Sequence, residues 1–307
     1  MRTTITGGDA ALAALASTIW GLGFVATKLG IDGFSAPQLT ALRFLIAALP
    51  VLVIARPRIP WPALVAIGLT LFAGQFLLLF FAFAAGMPPG VASVTQQTHA
   101  VFSVVLAAPL LGERPTSRQA LGLTAAVAGL ALIGATVGDD LPLAALALAL
   151  GGAFSWAIGN LLVKRCAGGV SMAGLVAWAS LVPPVPALLL DAFDTTHPSL
   201  LDALSHASWL SLGSALYLGA VATTIGYGTW AYLLRRYPMP VIAPFALLPP
   251  CVGTGVSALV FGEGFPPLRY AGMALIVIGL AITLRPATQT RERPAGKPAG
   301  RPSVPRP

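Results

Sequence analysis

Few side chains in this sequence can do chemistry, and most of those lie deep inside apolar segments. The densest group is Thr95, Gln96, Gln97, Thr98 and His99. His99 stands ten residues into its segment, about 15 Å along a helix that rises 1.5 Å per residue. Gln75 has a similar depth in the preceding segment. Gln96 and His99, three positions apart, share a helical face, whereas Gln97 points elsewhere. Hydrocarbon makes uncompensated polar groups costly, so such residues need partners or a task. Three readings of His99 stand open. Its neutral ring can contact a substrate, its ordinary pKa of about 6.5 allows it to carry a proton, or it is a packing residue satisfied by Gln75 or another helix.

Arg43 is the sharpest anomaly, because its segment cannot span a bilayer without including it. It either snorkels outward or faces a cavity, where its planar donor fork suits a carboxylate or phosphate. The aligned position in the second half of the chain is Ala179, so an anion site of this kind is asymmetric. Trp20 and Trp156 occupy equivalent positions, with Phe24 and Asn160 one turn on, and are expected to line opposite sides of a central chamber. Tyr217, Tyr227 and Trp230 decorate one later segment around Thr223 and Thr224; interfacial anchoring is the other reading of Trp230. Lys28 is expected to be an anchor or gate, and Pro249-Pro250 a hinge or a site of exposed carbonyls. Glu113 and Glu263 are expected to cap or tether neighbouring helices.

The elements that must position these residues follow from composition. Of 307 residues, 56% are hydrophobic and 9% charged, far below the roughly 25% charge usual for a soluble domain. Apolar stretches run over 10–30, 36–55, 62–84, 89–110, 119–137, 142–163, 172–190, 208–232, 239–261 and 268–284. Most have the length of about 20 residues that a membrane helix needs. The expected fold is an all-α polytopic membrane protein with ten transmembrane helices.

Connector charges set the expected orientation. With the N-terminus in the cytoplasm, 15 of 18 basic residues fall inside, including Arg56, Arg58, Arg114, Arg118, Lys164, Arg165, Arg235 and Arg236. The acidic residues Asp32, Asp139, Asp140, Asp191, Asp194, Asp202 and Glu263 fall outside, as the positive-inside rule requires. Both termini are therefore expected to be cytoplasmic in an inner or plasma membrane. Residues 285–307 read as a disordered basic cytoplasmic tail able to touch anionic lipid. Dispersed basic residues argue against nucleic acid, and the isolated Cys166 and Cys251 against a disulfide framework or metal site.

Spacing also reveals a repeat. Trp20, Gly23 and Lys28 recur 136 residues later as Trp156, Gly159 and Lys164. Gly112-Glu113, Gly122 and Gly129 recur 150 residues later as Gly262-Glu263, Gly272 and Gly279. Residues 10–137 and 142–284 thus form two halves of five helices, and an odd number inverts the second half relative to the first. The seven-residue glycine spacing suits close helix packing.

On Trp20-Gly21-Leu22-Gly23-Phe24, Leu110-Leu111-Gly112-Glu113-Arg114-Pro115 and Phe261-Gly262-Glu263, the chain resembles the EamA family of the drug/metabolite transporter superfamily. The likeness covers roughly residues 10–284, and departs at Gly264-Phe265, where the first copy has Arg114-Pro115. The resemblance implies a ten-helix carrier with two EamA repeats, in a family whose members often export amino acids or other metabolites. The expected function is a secondary transporter exporting a small metabolite by alternating access, driven by its gradient or by a proton and working as monomer or homodimer. A passive channel or facilitator and a non-transporting scaffold are the rivals. No P-loop and no catalytic constellation is present, so neither an enzyme nor a cofactor is expected.

Overall fold

The structure, a computed structural model, describes residues 5–112, 116–138, 140–167 and 169–284. Among these, regular structure is helical apart from one isolated bridge between Gly138 and Leu141. Eight helices are long and apolar enough to cross a membrane: α1 (Gly7–Ile31), α3 (Trp61–Ala84), α4 (Pro89–Leu110), α5 (Ser117–Gly134), α6 (Leu143–Cys166), α7 (Met172–Phe193), α8 (Trp209–Arg236) and α9 (Pro244–Phe261). Two shorter apolar helices, α2 (Ala36–Leu52) and α10 (Pro267–Thr283), fall where the second and last spans are expected. The chain is therefore an all-α polytopic membrane protein with at least eight apolar spans. The connector over 191–207 carries a short helix, Leu200–His206, begun by Ser199 accepting from the Asp202 N–H.

Local signals explain the ends. Ser35 with Gln38 and Thr116 with Gln119 form reciprocal capping boxes at the starts of α2 and α5, each satisfying donors that an α-helix leaves unpaired. Helix α2 tightens into a 3-10 turn at Leu49–Leu52, where Pro50 stands in its first turn.

Helices α4 and α9 share an unusual design. Helix α4 is interrupted midway, and α9 continues a helical stretch that begins at Met239; past the break each runs on as a 14-residue helix, Thr98–Leu111 and Leu248–Phe261. Gly112 (φ 69°) and Gly262 (φ 66°) end these segments in the left-handed region, which glycine enters without a Cβ clash. The interruption in α4 is a tight turn at Gln96 and Gln97, with His99 N–H donating to Gln96 O. In α9 it is the 3-10 stretch Ala243–Leu247. Pro249 and Pro250 consequently sit in the first turn of a helix rather than at its centre, where their missing N–H groups have no intrahelical partner to lose. The expected mid-helix proline break is replaced by a break one turn earlier.

Contacts recur between the halves. A Cβ built on Gly68 of α3 meets Val182 Cβ at 2.6 Å and Ala179 O at 2.9 Å. One on Gly219 of α8 meets Ile46 Cβ at 2.6 Å and Arg43 O at 2.7 Å. Ala179 and Val182 are the residues 136 positions after Arg43 and Ile46, the displacement of the tryptophan repeat. Helix α3 thus packs on α7 as α8 packs on α2. Helices α5 and α10 cross antiparallel, so each glycine faces the backbone of the glycine at the opposite end of the other pair. A Cβ on Gly122 would lie 2.6 Å from Gly279 O, and one on Gly129 would lie 2.5 Å from Gly272 O. Such an approach leaves no room for a side chain, in keeping with the packing expected of these glycines.

Candidate substrate site

Arg43 does not snorkel. It is 4% exposed, and its Nε donates to Thr223 Oγ1 of α8 at 3.0 Å. The guanidinium carbon lies 3.8 Å from the centroid of the Phe76 ring and 5.5 Å from that of Phe44. Tyr217 and Tyr227 are its electrostatic neighbours. Among the described residues Arg43 has no carboxylate partner and no second hydrogen bond. A hydrogen bond to a charged group contributes about 1.5–3 kcal/mol and a desolvated cation–π contact about 2 kcal/mol. Burying a charge costs several kcal/mol even after relaxation, so Arg43 is held but incompletely compensated.

Around it the aromatics close ranks. Trp20 donates from Nε1 to Ala222 O at 3.0 Å and lies 5.3 Å from Tyr227 and 5.2 Å from Trp230, centroid to centroid. Tyr217 donates to Ile19 O at 2.8 Å, and Tyr227 meets Phe72 edge-on at 6.0 Å. Trp230 therefore belongs to this inner aromatic group. The backbone beside Arg43 is also irregular: Tyr217–Ile225 forms wide π-helical turns, as does Gly68–Gly74 in α3. Such turns are rare and cluster at functional sites. The residue closing the Gly68–Gly74 stretch is Gln75, and that closing Tyr217–Ile225 is Gly226. A Cβ on Gly226 would lie 2.7 Å from Trp20 Nε1, so the tryptophan occupies the space a side chain there would need.

A second group gathers where α3, α4 and α6 meet. His99 stacks on Trp156 at 3.8 Å with 21° between the planes, and its Nδ1 donates to Gln96 O at 2.8 Å. Gln75 is thus not its partner. Gln96 Nε2 donates to Ala149 O at 2.9 Å. Gln75 Oε1, Thr95 Oγ1 and Gln96 Oε1 are buried without a hydrogen-bond partner, each a cost of about 1–3 kcal/mol. A Cβ on Gly152 would lie 2.9 Å from the Gln75 main-chain O and 3.5 Å from Gln96 Nε2, so the backbone of Gln75 and the side chain of Gln96 both abut this point of α6.

The remaining expected residues are placed less closely. Phe24 packs, half-buried, against the main apolar core. Asn160 and Lys28 are half-buried and form no hydrogen bond among the described residues. Pro250 O accepts from Ser93 Oγ at 3.3 Å, and Pro249 O lies 2.9 Å from a Cβ built on Gly21, joining α9 to α4 and α1. Glu263 tethers α9 to the start of α4, accepting from Gly90 N–H at 3.0 Å and from Ser257 Oγ. Glu113 and the 285–307 tail lie outside the described residues.

Sequence reasoning named Arg43 but missed Phe76, the ring beneath it, and Thr223 as its anchor. Phe76 directly follows Gln75, and that adjacency was the available signal. Arg269, fully buried, was not among the expected residues. It bonds Asp140 Oδ2 and Oδ1 at 2.6 and 3.1 Å and reaches Thr136 Oγ1 and O.

A bundle of apolar helices paired across two halves, with a buried arginine at their junction, has the make-up of a membrane transport protein. The chain belongs to the EamA-like transporter family, whose model matches residues 9–135 and 143–285. It is 37% identical over 282 residues to a probable amino-acid metabolite efflux pump of Salmonella typhimurium (strain LT2), covering 90% of this chain and 94% of that protein. A probable terminal-alkyne amino-acid exporter of Streptantibioticus cattleyicolor is 29% identical over 92% of this chain and 95% of its own length. A solved crystal structure shares the fold with a TM-score of 0.61, at 21% identity over 90% of this chain and 96% of that one.

Proposed function

We propose that this protein is a secondary carrier exporting amino acids or closely related metabolites by alternating access. In this reading α2 and α10 also cross the bilayer, giving ten spans in two inverted halves, 10–137 and 142–284, with both termini cytoplasmic. The observation that carries it is Arg43: a buried cation at the junction of α2, α3 and α8, anchored on one side and left with free donors on the other. A carboxylate supplies what such a fork lacks. Trp20, Tyr217 and Tyr227 form the wall beside it, and Gln75, Gln96, His99 and Trp156 form a polar wall across α3. Phe24 and Asn160 complete the lining one turn along α1 and α6. Lys28 gates one mouth, and the irregular backbone preceding Pro249 and Pro250 supplies a hinge. The names of two relatives, a probable amino-acid metabolite efflux pump and a probable terminal-alkyne amino-acid exporter, favour the same cargo class.

The test is exchange in proteoliposomes of the purified chain across a panel of labelled amino acids, with and without an imposed pH gradient. Exchange of at least one amino acid is expected. No exchange across the panel would overturn the carrier reading, whereas exchange insensitive to the gradient would leave the cargo gradient as the driving force.

A further inference from the structure

We propose that Gln75, Thr95, Gln96 and His99 form a subsite for a primary ammonium group, so that the cargo is carried as a zwitterion with its carboxylate toward Arg43. This rests on the carrier reading above and adds the second pole of the cargo.

The polarity of the free atoms carries the inference. Gln96 faces Ala149 O, which can only accept, so the amide nitrogen must point there. The unpaired atom is then Oε1, an acceptor, in a side chain 1% exposed. His99 Nδ1 likewise faces a carbonyl, Gln96 O, and must donate. In the neutral ring that leaves Nε2 as an acceptor. Gln75 Oε1 and Thr95 Oγ1 add two more buried oxygens without partners, in residues 4% and 0% exposed. Every one of these atoms can accept. A carboxylate or phosphate oxygen has nothing to offer Gln96 Oε1 or His99 Nε2 and could take only the Thr95 hydroxyl proton, while an ammonium brings three donors and a positive charge. Trp156, one turn from Gly152, places a π face beside the group through its stack with His99, and π faces attract cations.

The arrangement opposes Arg43 in sign. Gln75 and Phe76 are neighbours on α3, and the ring of Phe76 lies under the guanidinium at 3.8 Å. The free donors of Arg43 thus lie against one residue of α3, and the unpartnered acceptor of Gln75 belongs to the residue before it. A cargo bearing one charge of each sign satisfies both.

The experiment uses wild-type proteoliposomes, labelled standard amino acids, and for each its N-acetyl and decarboxylated forms as competitors, in sodium-free and sodium-containing buffer. For every amino acid exchanged, N-acetylation is expected to weaken competition by on the order of tenfold or more, and decarboxylation to weaken it likewise. Combining Gln75→Leu with Gln96→Met is expected to raise the KM for the amino acid by a similar factor, while the N-acetyl form competes as it does against wild type. An N-acetyl form competing within about twofold of the free amino acid overturns the ammonium subsite and leaves the carrier reading standing. Exchange that depends on sodium and ignores N-acetylation overturns it too, assigning the acceptors to a cation instead. If no amino acid exchanges, the carrier reading falls and this inference falls with it. The analogue comparison on wild type holds even if the double variant does not fold.

Discussion

At Arg43 the chemistry of the side chain, more than its charge, decides the outcome. Lysine keeps the charge but lacks the flat face that stacks on Phe76 and the fork that can hold Thr223 and a carboxylate together. Arg43→Lys is therefore expected to cut amino-acid exchange by about tenfold or more, the effect of losing one charge-assisted bond. Its thermal unfolding in detergent should stay close to that of wild type. Thr223→Val removes only the anchoring oxygen, so it should raise KM by a smaller factor. Equal transport by wild type and Arg43→Lys would remove Arg43 from the site. Arg43 was legible in the sequence because arginine inside an apolar segment has few explanations. Thr223 was not, since hydroxyls in membrane helices commonly bond their own backbone, as Thr223 Oγ1 itself does to Leu218 O. The stack of His99 on Trp156 was equally hidden, because spacing places residues on a face of one helix but not against a ring of another.

At the scale of elements, eight spans could be read from hydropathy and close packing at the glycines from their spacing, but the irregular backbone could not. The wide turns at Gly68–Gly74 and Tyr217–Ile225 contain no proline, and no residue pattern distinguishes them from ordinary helix. The double proline misled by one turn: Pro249 and Pro250 interrupt nothing, because proline fits a helix start. The α5–α10 crossing yields the firmest prediction here. A side chain on Gly129 would meet Gly272 O and the Ile276 backbone with no flexible neighbour able to yield. Gly129→Val should therefore cost about 1–3 kcal/mol, the usual cost of overpacking, read as a lowered unfolding midpoint. Gly134→Ala is a control, as a Cβ there meets nothing within 4 Å.

On the scale of the whole molecule, one ion pair joins the connector between the halves to the last helix. Arg269 is fully buried, while the Asp140 side chain remains 61% exposed. Hydrogen bonding from Arg269, partly opposed by desolvation, holds the Asp140 carboxyl below the ordinary carboxylate value of 3.8. A folded-state pKa lowered in this way contributes stability that is present at neutral pH and fades as pH falls through the folded value. Asp140→Asn should therefore lower the unfolding temperature at pH 7, with the gap to wild type closing only under acid conditions, below the ordinary carboxylate range. Because the carboxylate is largely in water, the gap should be modest and shrink in high salt. A gap independent of pH would mean that Asp140 acts through shape and not charge.

The site's unevenness has a thermodynamic corollary. In the proposed site Arg43 has its counterpart in Ala179, Gln75 in Gly226 and His99 in Pro249, so the two halves contribute different polar groups while both contribute tryptophans. A carrier lined evenly would half-saturate at the same cargo concentration from either face of the bilayer. With the proposed lining the two half-saturation constants are expected to differ. Detailed balance then obliges the maximal rates to differ by the same ratio, in the same sense, whenever no second solute is coupled. Net flow still follows the cargo's own gradient, but the protein saturates early from one face and runs faster from the other.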